Sequence, residues 1–159
     1  HGQTVDYVVL MTYEWGYTYG PAMAVAPLNM VRQVLDYAAQ VIPAGKILMG
    51  VPNYGYDWTL PFVQGTAARS LTNIDAVTLA GQAGAGIQYD QTAQSPFFRY
   101  YDGDGRQHEV WFEDARSLRA KYALVNEYGL AGVSFWNLNR LFRINFMVLE
   151  SMFHVEKVL

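Results

Sequence analysis

The chain has 159 residues, enough for one ordinary domain with a buried core. A formal charge of -3 and 11 scattered basic residues give no electrostatic basis for binding nucleic acid, which needs clustered Lys and Arg. With no cysteine, the chain has no disulfide, thiolate metal site or cysteine nucleophile. No apolar run reaches the roughly 18 residues of a membrane span. The opening HGQTVDY carries no initiator Met and no secretory leader, and it precedes a strand so closely that a piece of a longer protein is expected. Aromatics at 15%, including 12 Tyr and 4 Trp, suit sugar rings, because they join a flat apolar face to a polar edge; an aromatic-rich core would use them equally well.

The first predicted element is a strand from Tyr7 to Tyr13, where only Thr12 is polar. Such a run reads as a parallel strand buried on both faces. It ends in Tyr13, Glu14 and Trp15, at the end of a parallel strand where sites are built. After the loop GYTYGPAMAVAP, the segment LNMVRQVLDYAAQVI places Leu28, Val31, Leu35, Ala38 and Ile42 on one stripe, predicting an amphipathic helix that Pro43, Ala44 and Gly45 terminate. KILMGVPNYGYDW then predicts a second apolar strand ending in Asn53, Tyr54 and Tyr56, which completes a βαβ unit.

The next stretch, about 55 residues, is too long for a βα loop. Within it TNIDAVTLAGQAG predicts a helix capped by Thr72 or Asn73, and SPFFRYYDGDGRQHEVWFED predicts two strands around an Asp-Gly turn. This is a small α+β insertion, expected to wall the site or merely to stabilise the fold. FEDARSLRAKYALVNEYGL predicts a helix with Ala115, Leu118, Tyr122 and Val125 on one side and Gly129 at its stop. AGVSFWNL predicts the third strand, and INFMVLESMF a last helix with Phe146, Leu149 and Phe153 in register. The alternation is that of an α/β protein, either a (β/α) barrel or a doubly wound sheet. The expected divisions are a βαβ segment over 1–57, an insertion subdomain over 58–112 and an αβα segment over 113–159.

Several chemistries are not expected. GQAGAG lacks the order and the strand-to-helix setting of a nucleotide loop. His1, His108 and His154 lack metal-ligand spacing, and DGDG lacks the later ligands of a calcium loop, so no metal and no cofactor is expected. Ser134 sits within a strand without a following glycine and is not a nucleophile elbow. What remains is a set of strand ends. Met11 and Tyr13 point to the same side of the first strand, Glu14 follows at the rim, and Trp136 with Asn137 beside it ends the third strand. Asn53, Tyr54 and Tyr56 end the middle one. Each strand-end aromatic could simply plug a barrel end, whereas three strands ending alike point to a site.

MTYEW, GVPNYGYDW and GVSFWNL resemble the sixth, seventh and eighth strands of glycoside hydrolase family 18. GPAMAVAPLN, PNYGYDWTLP, QSPFF and EVWFEDARS extend the resemblance over essentially the whole chain, toward the spore-cortex peptidoglycan hydrolases of that family. The resemblance implies strands 6 to 8 of a TIM (β/α)8 barrel with a small α+β insertion. It also implies retaining hydrolysis of β-linked N-acetylglucosamine polymers, peptidoglycan or chitin, in which the substrate's acetamido oxygen attacks the anomeric carbon. Tyr13 would orient the acetamido group, Trp136 would floor the reacting sugar, and Glu14 and Asn53 would hold its polar groups. Met11, Tyr54, Tyr56 and Trp58 are further cleft candidates. Tyr13, Asn53 and Trp136 are thus expected to converge on one acetylated ring.

The family's acidic fourth-strand motif, with its proton-donating Glu, is absent from the sequence, so the chain alone is expected to be inactive. Near Asn139, Leu141 and Phe146 the relatives carry Gly, Pro and Trp instead. Localisation in the spore, the cell wall or outside the cell is implied by the resemblance alone. The competing expectation is a non-catalytic glycan-binding or structural module that completes its barrel by self-association through exposed sheet edges.

Overall fold

The computed structural model describes residues 2–155, which form a mixed α/β fold. Three parallel strands, β1 (Val8–Leu10), β2 (Ile47–Pro52) and β8 (Gly132–Trp136), lie in the order β1-β2-β8. Helices α1 (Leu28–Val41), α3 (Ala115–Tyr128) and α4 (Arg143–Met152) contribute to a single core with that sheet. Its centre is Val31, Leu35, Ile47, Met49, Val51, Leu118 and Tyr122. A second sheet of five antiparallel strands has the order β4-β3-β7-β6-β5. Its members are β3 (Tyr54–Leu60), β4 (Arg69–Thr72), β5 (Gln88–Asp90), β6 (Ser95–Tyr101) and β7 (Gln107–Trp111), with α2 (Asn73–Gln82) between β4 and β5.

Local chemistry accounts for the helix ends. Thr72 caps α2 by accepting from the Asp75 N–H. Asp114 caps α3 in a reciprocal box with Ser117, and Gly129 closes α3 in the left-handed region at φ 64°. Along α1, Val31, Leu35 and Ala38 are buried, as their spacing predicts.

Three expectations need correction. The first strand is short and open on one side, since Tyr7, Val9 and Met11 are exposed. Among the described residues β1 pairs only with β2, and its alternate residues face away from the helices with nothing described over them. The stretch from Lys46 to Trp58 is two strands in two sheets, so Tyr54, Tyr56 and Trp58 belong to the insertion's sheet and not to the barrel-type strand. Asn53 sits at the junction, its N–H bonded to the Trp136 carbonyl at 2.8 Å and its Oδ1 accepting from Asn145 Nδ2 at 2.6 Å. On α3, Ala115 is exposed and Lys121 is buried in the stripe. Lys121 makes a 2.9 Å ion pair with Glu113, each side chain only 1% exposed. Burial pushes the Glu113 carboxyl up, against the pull of the Lys121 ammonium.

The five-stranded sheet is tied together by charge. Asp57 on β3 accepts from Tyr100 Oη at 2.8 Å and from Arg69 at 3.1 Å, and His108 Nδ1 lies 2.8 Å away. At the β6–β7 turn, the Arg106 backbone N–H and then its side chain hold the Asp102 carboxyl down from the ordinary 3.8 to about 2. A folded value below the unfolded one means that this turn's contribution is full above about pH 3.8 and is lost as the pH falls toward 2. Protection of the Asp104 and Arg106 amides, relative to their unstructured exchange rate at each pH, should therefore fall on acidification through that window. In Asp102→Asn, protection there should be lower at pH 5 and should show no such step.

Candidate functional site

The helix-free face of the parallel sheet carries Val9, Leu48 and Gly132 at one level, Gly50 and Ser134 at the next, and Pro52 and Trp136 at the C-terminal ends, as the strand register requires. Tyr13 lies over this face. Its ring rests on Gly50, where an added Cβ would come within 2.7 Å of Tyr13 Cε1 and 2.5 Å of the Leu10 carbonyl oxygen. Thr12 secures the turn above by donating to the Gly50 carbonyl at 2.8 Å. Burial, and then the charge of Glu14, push the Tyr13 phenol up, so it stays a hydrogen-bond donor at neutral pH.

Glu14 departs from ordinary backbone geometry, with φ 69°, a region that a non-glycine residue seldom occupies. Its carboxylate accepts from the Tyr54 phenol and, at 3.1 Å, from the Tyr56 phenol. The two rings meet edge to face, 5.6 Å apart, and are buried in the five-stranded sheet. Burial, followed by the bond to Glu14, raises the Tyr54 phenol strongly; burial also raises Tyr56, partly opposed by the Thr18 hydroxyl. Two neutral phenols thus fix one carboxylate at the seam between the sheets.

A hollow of about 280 Å³ opens at this seam, lined by Glu14, Tyr54, Tyr56, Ser70, Trp136, Asn137 and Arg140. Trp136 is 56% exposed, leaving a broad indole surface available. Asn137 Oδ1 is buried and, among the described residues, accepts no hydrogen bond. A buried acceptor left open costs stability. A larger hollow of about 580 Å³ lies at the other ends of the strands, against Leu48, Leu130, Gly132 and Phe153. It is bordered mostly by apolar residues and lies away from the strand ends that carry the polar side chains.

Of the residues the sequence singled out, Glu14, Tyr54, Tyr56 and Trp136 line one hollow. Tyr13 sits beside it against Gly50, and Met11, on the open edge strand, is 75% exposed. Asn53 and Trp58 are buried and hydrogen-bonded within the protein. Asn53 is 1% exposed, with Oδ1 bound to Asn145; Trp58 is 2% exposed, with its indole N–H donated to the Gly20 carbonyl at 2.8 Å. Trp136 shares its hollow with Glu14 and two tyrosines, Asn53 is joined to the Trp136 backbone just beneath, and Tyr13 stands against Gly50. Sequence reasoning missed Ser70 and Arg140. Ser70 gives no local signal, because it arrives from the insertion, whereas Arg140 stands four residues after Trp136 in the loop leaving β8. Among the described residues no group of three or more His, Asp or Glu could hold a metal ion, and no helix is long and apolar enough to cross a membrane.

Residues 2–140 match the family described as Glycosyl hydrolases family 18. A cortical fragment-lytic enzyme of Bacillus subtilis is 54% identical over 99% of this chain and 37% of its own length. The crystal structure of the Bacillus cereus spore cortex-lytic enzyme SleL superposes with a TM-score of 0.96 at 47% identity, covering 98% of this chain and 36% of that one. A chitinase from Chromobacterium violaceum superposes with a TM-score of 0.87 at 35% identity, over 94% of this chain and 46% of that one. The chain thus spans little more than a third of the length of the curated relative.

Proposed function

Since the chain belongs to glycosyl hydrolase family 18, we propose that the hollow beside Trp136 is the C-terminal share of a cleft for β-linked N-acetylhexosamine polymers. Peptidoglycan of the spore cortex or cell wall is the first choice of substrate, since relatives named for cortex lysis match nearly the whole chain, and chitin is the second. The observation that carries this reading is the half-open indole of Trp136, set among a fixed carboxylate and two phenols. Indole faces stack on the apolar faces of pyranoses, and the polar groups around it match hydroxyl and acetamido groups.

In this reading β1, β2 and β8 are strands 6 to 8 of a TIM (β/α)8 barrel. The segments 1–57 and 113–159 belong to the barrel, and 58–112 to the insertion, whose sheet takes in Tyr54 as well. Tyr13 donates its phenolic hydrogen to the acetamido group and holds its oxygen toward the anomeric carbon, so the substrate supplies its own nucleophile and configuration is retained. Glu14, locked by its two phenols, binds a sugar hydroxyl or the acetamido N–H. Asn53 acts indirectly, by fixing the junction that carries Tyr54. The proton donor is not among these residues, so the chain by itself does not turn over substrate. A chromogenic N-acetylglucosamine oligomer incubated with it should release no chromophore above the buffer rate. The same oligomer should bind, and Trp136→Ala should weaken binding roughly 30-fold, the effect of removing a central tryptophan worth about 2 kcal/mol.

A second reading rests on the open side of the sheet. Tyr7, Val9 and Met11 are exposed on the edge strand β1, so a non-catalytic module that covers this face with another copy is the alternative. Sedimentation showing a dimer at all concentrations, with no glycan binding, would favour it.

A further inference from the structure

A directed chain of polar side chains runs through the main core beneath the hollow. Tyr122 on α3 and Asn145 on α4 are fully buried, and Asn53, between β2 and β3, is 1% exposed. The Tyr122 phenol donates to Asn145 Oδ1, Asn145 Nδ2 donates to Asn53 Oδ1 at 2.6 Å, and the Asn53 backbone N–H donates to the Trp136 carbonyl at 2.8 Å. Each bond sets the direction of the next. Burial, and then the charge of Glu113, push the Tyr122 phenol up, so it keeps the proton that it donates. An amide oxygen only accepts, so Asn145 must turn its Nδ2 toward Asn53.

The chain ends on the one residue that joins two walls of the hollow. Asn53 is bonded to the Trp136 backbone, and it directly precedes Tyr54, whose phenol holds Glu14. None of the described residues that line the hollow lies on α3 or α4, so these bonds connect both helices to it. Packing alone does not call for amides here. Tyr122 shares its core with Leu118, Phe142 and Val148, where apolar side chains of the same shape would serve stability about as well. What a fully bonded polar chain adds is uniqueness, because it admits a single arrangement of the elements it joins.

We propose that Tyr122 and Asn145 are positioning residues for glycan binding, which act through Asn53 to hold the ends of β2 and β8 where Trp136 and Glu14 face the same sugar. This inference rests on the glycan reading of the hollow. It makes α4 a support of the site and not only a cover for the sheet.

The first test needs no variant. In a nitrogen-15 correlation spectrum titrated with chitotetraose, the Asn145 side-chain amide signals should shift saturably with the same midpoint as the Trp136 indole, although Asn145 is buried out of reach of any glycan. The second test replaces the polar chain by apolar groups in the double variant Tyr122→Phe, Asn145→Leu. Its urea midpoint should stay close to that of the unaltered chain, whereas its affinity for chitotetraose should fall about tenfold, within the range of coupling for residues that share a network. Made on top of Trp136→Ala, the same two substitutions should weaken binding by much less, since the group they position is gone. A Trp136 signal that moves while the Asn145 amide stays still overturns the positioning role and leaves the glycan cleft standing. So does an affinity that survives the double substitution, or one that falls equally with and without Trp136. If the double variant does not fold, the first test decides alone. Failure of chitotetraose to move either signal overturns both readings.

Discussion

Lys121→Ala is expected to cost the fold about 3–5 kcal/mol, the largest single effect among the substitutions considered, because it strands a carboxylate where no water reaches. Glu113 and Lys121 are each 1% exposed and 2.9 Å apart, one just ahead of α3 and the other on its buried face. Burial already pushes the Glu113 carboxyl up, and the ammonium beside it is the principal influence opposing that push. Against a total stability of about 5–15 kcal/mol, such a loss removes from about a fifth of the margin to all of it. Urea unfolding should show a midpoint shifted far down with an unchanged slope, or no folded baseline at all. The double variant Glu113→Leu, Lys121→Met should recover most of the loss, since an apolar pair needs no compensation. A single variant costing under about 1 kcal/mol would mean that the pair is hydrated and the packing of α3 against β6 is looser than described.

Gly55→Ala is the second large effect, and it connects stability to the site. A Cβ at Gly55 would stand 2.2 Å from the Trp111 carbonyl oxygen and 2.8 Å from Phe112 Cβ. The first obstacle is backbone of a neighbouring strand and cannot rotate away, so a cost of about 3 kcal/mol or more is expected, at the top of the range for overpacking. Gly55 lies between Tyr54 and Tyr56, the two residues whose phenols hold Glu14. Any shift of β3 that relieves the overlap therefore moves the carboxylate as well. The expected result is a lowered unfolding midpoint together with weaker glycan binding in whatever fraction remains folded. Gly81→Ala is the natural contrast. It lies inside α2 with open space around it, and should be neutral or stabilise by about 0.4–1 kcal/mol. Equal outcomes for the two variants would contradict the packing described at Gly55.

The elements that were legible in the sequence are those whose pattern is complete within a short window. The apolar stripe of α1, the Thr72 cap, the Gly129 stop and the Asp-Gly turn each rest on contacts a few residues apart. What could not be read depends on partners far along the chain. Lys121 reads as a solvated charge, and only Glu113 folded beside it shows why it lies in the buried stripe three residues after Leu118. Pro52 and Asn53 do interrupt the β-prone run, but that the chain changes sheets there depends on distant partners, the Trp136 carbonyl and Asn145. Tyr7, Val9 and Met11 have the composition of a doubly buried strand, but burial is set by what lies opposite and not by the strand itself.

The site shows the same division. Tyr54, Tyr56 and Trp136 were visible as strand-end aromatics, and Glu14 as the acid in MTYEW, while their assembly into one hollow needed the coordinates. Trp58 has the composition of a ligand platform and the surroundings of a core residue; its indole N–H is already committed to Gly20. Arg140 and Ser70, 70 residues apart, meet only because the insertion folds back over the loop after β8.

The four indole N–H signals provide the most direct measurement of the central claim. Trp58 donates to Gly20 and Trp111 donates to Glu109 at 2.7 Å, both deep in the insertion, whereas Trp136 faces the hollow. In a nitrogen-15 correlation spectrum titrated with chitotetraose, the Trp136 indole signal should move saturably while those of Trp58 and Trp111 stay in place. A Trp136 signal that does not respond at millimolar glycan would contradict the account.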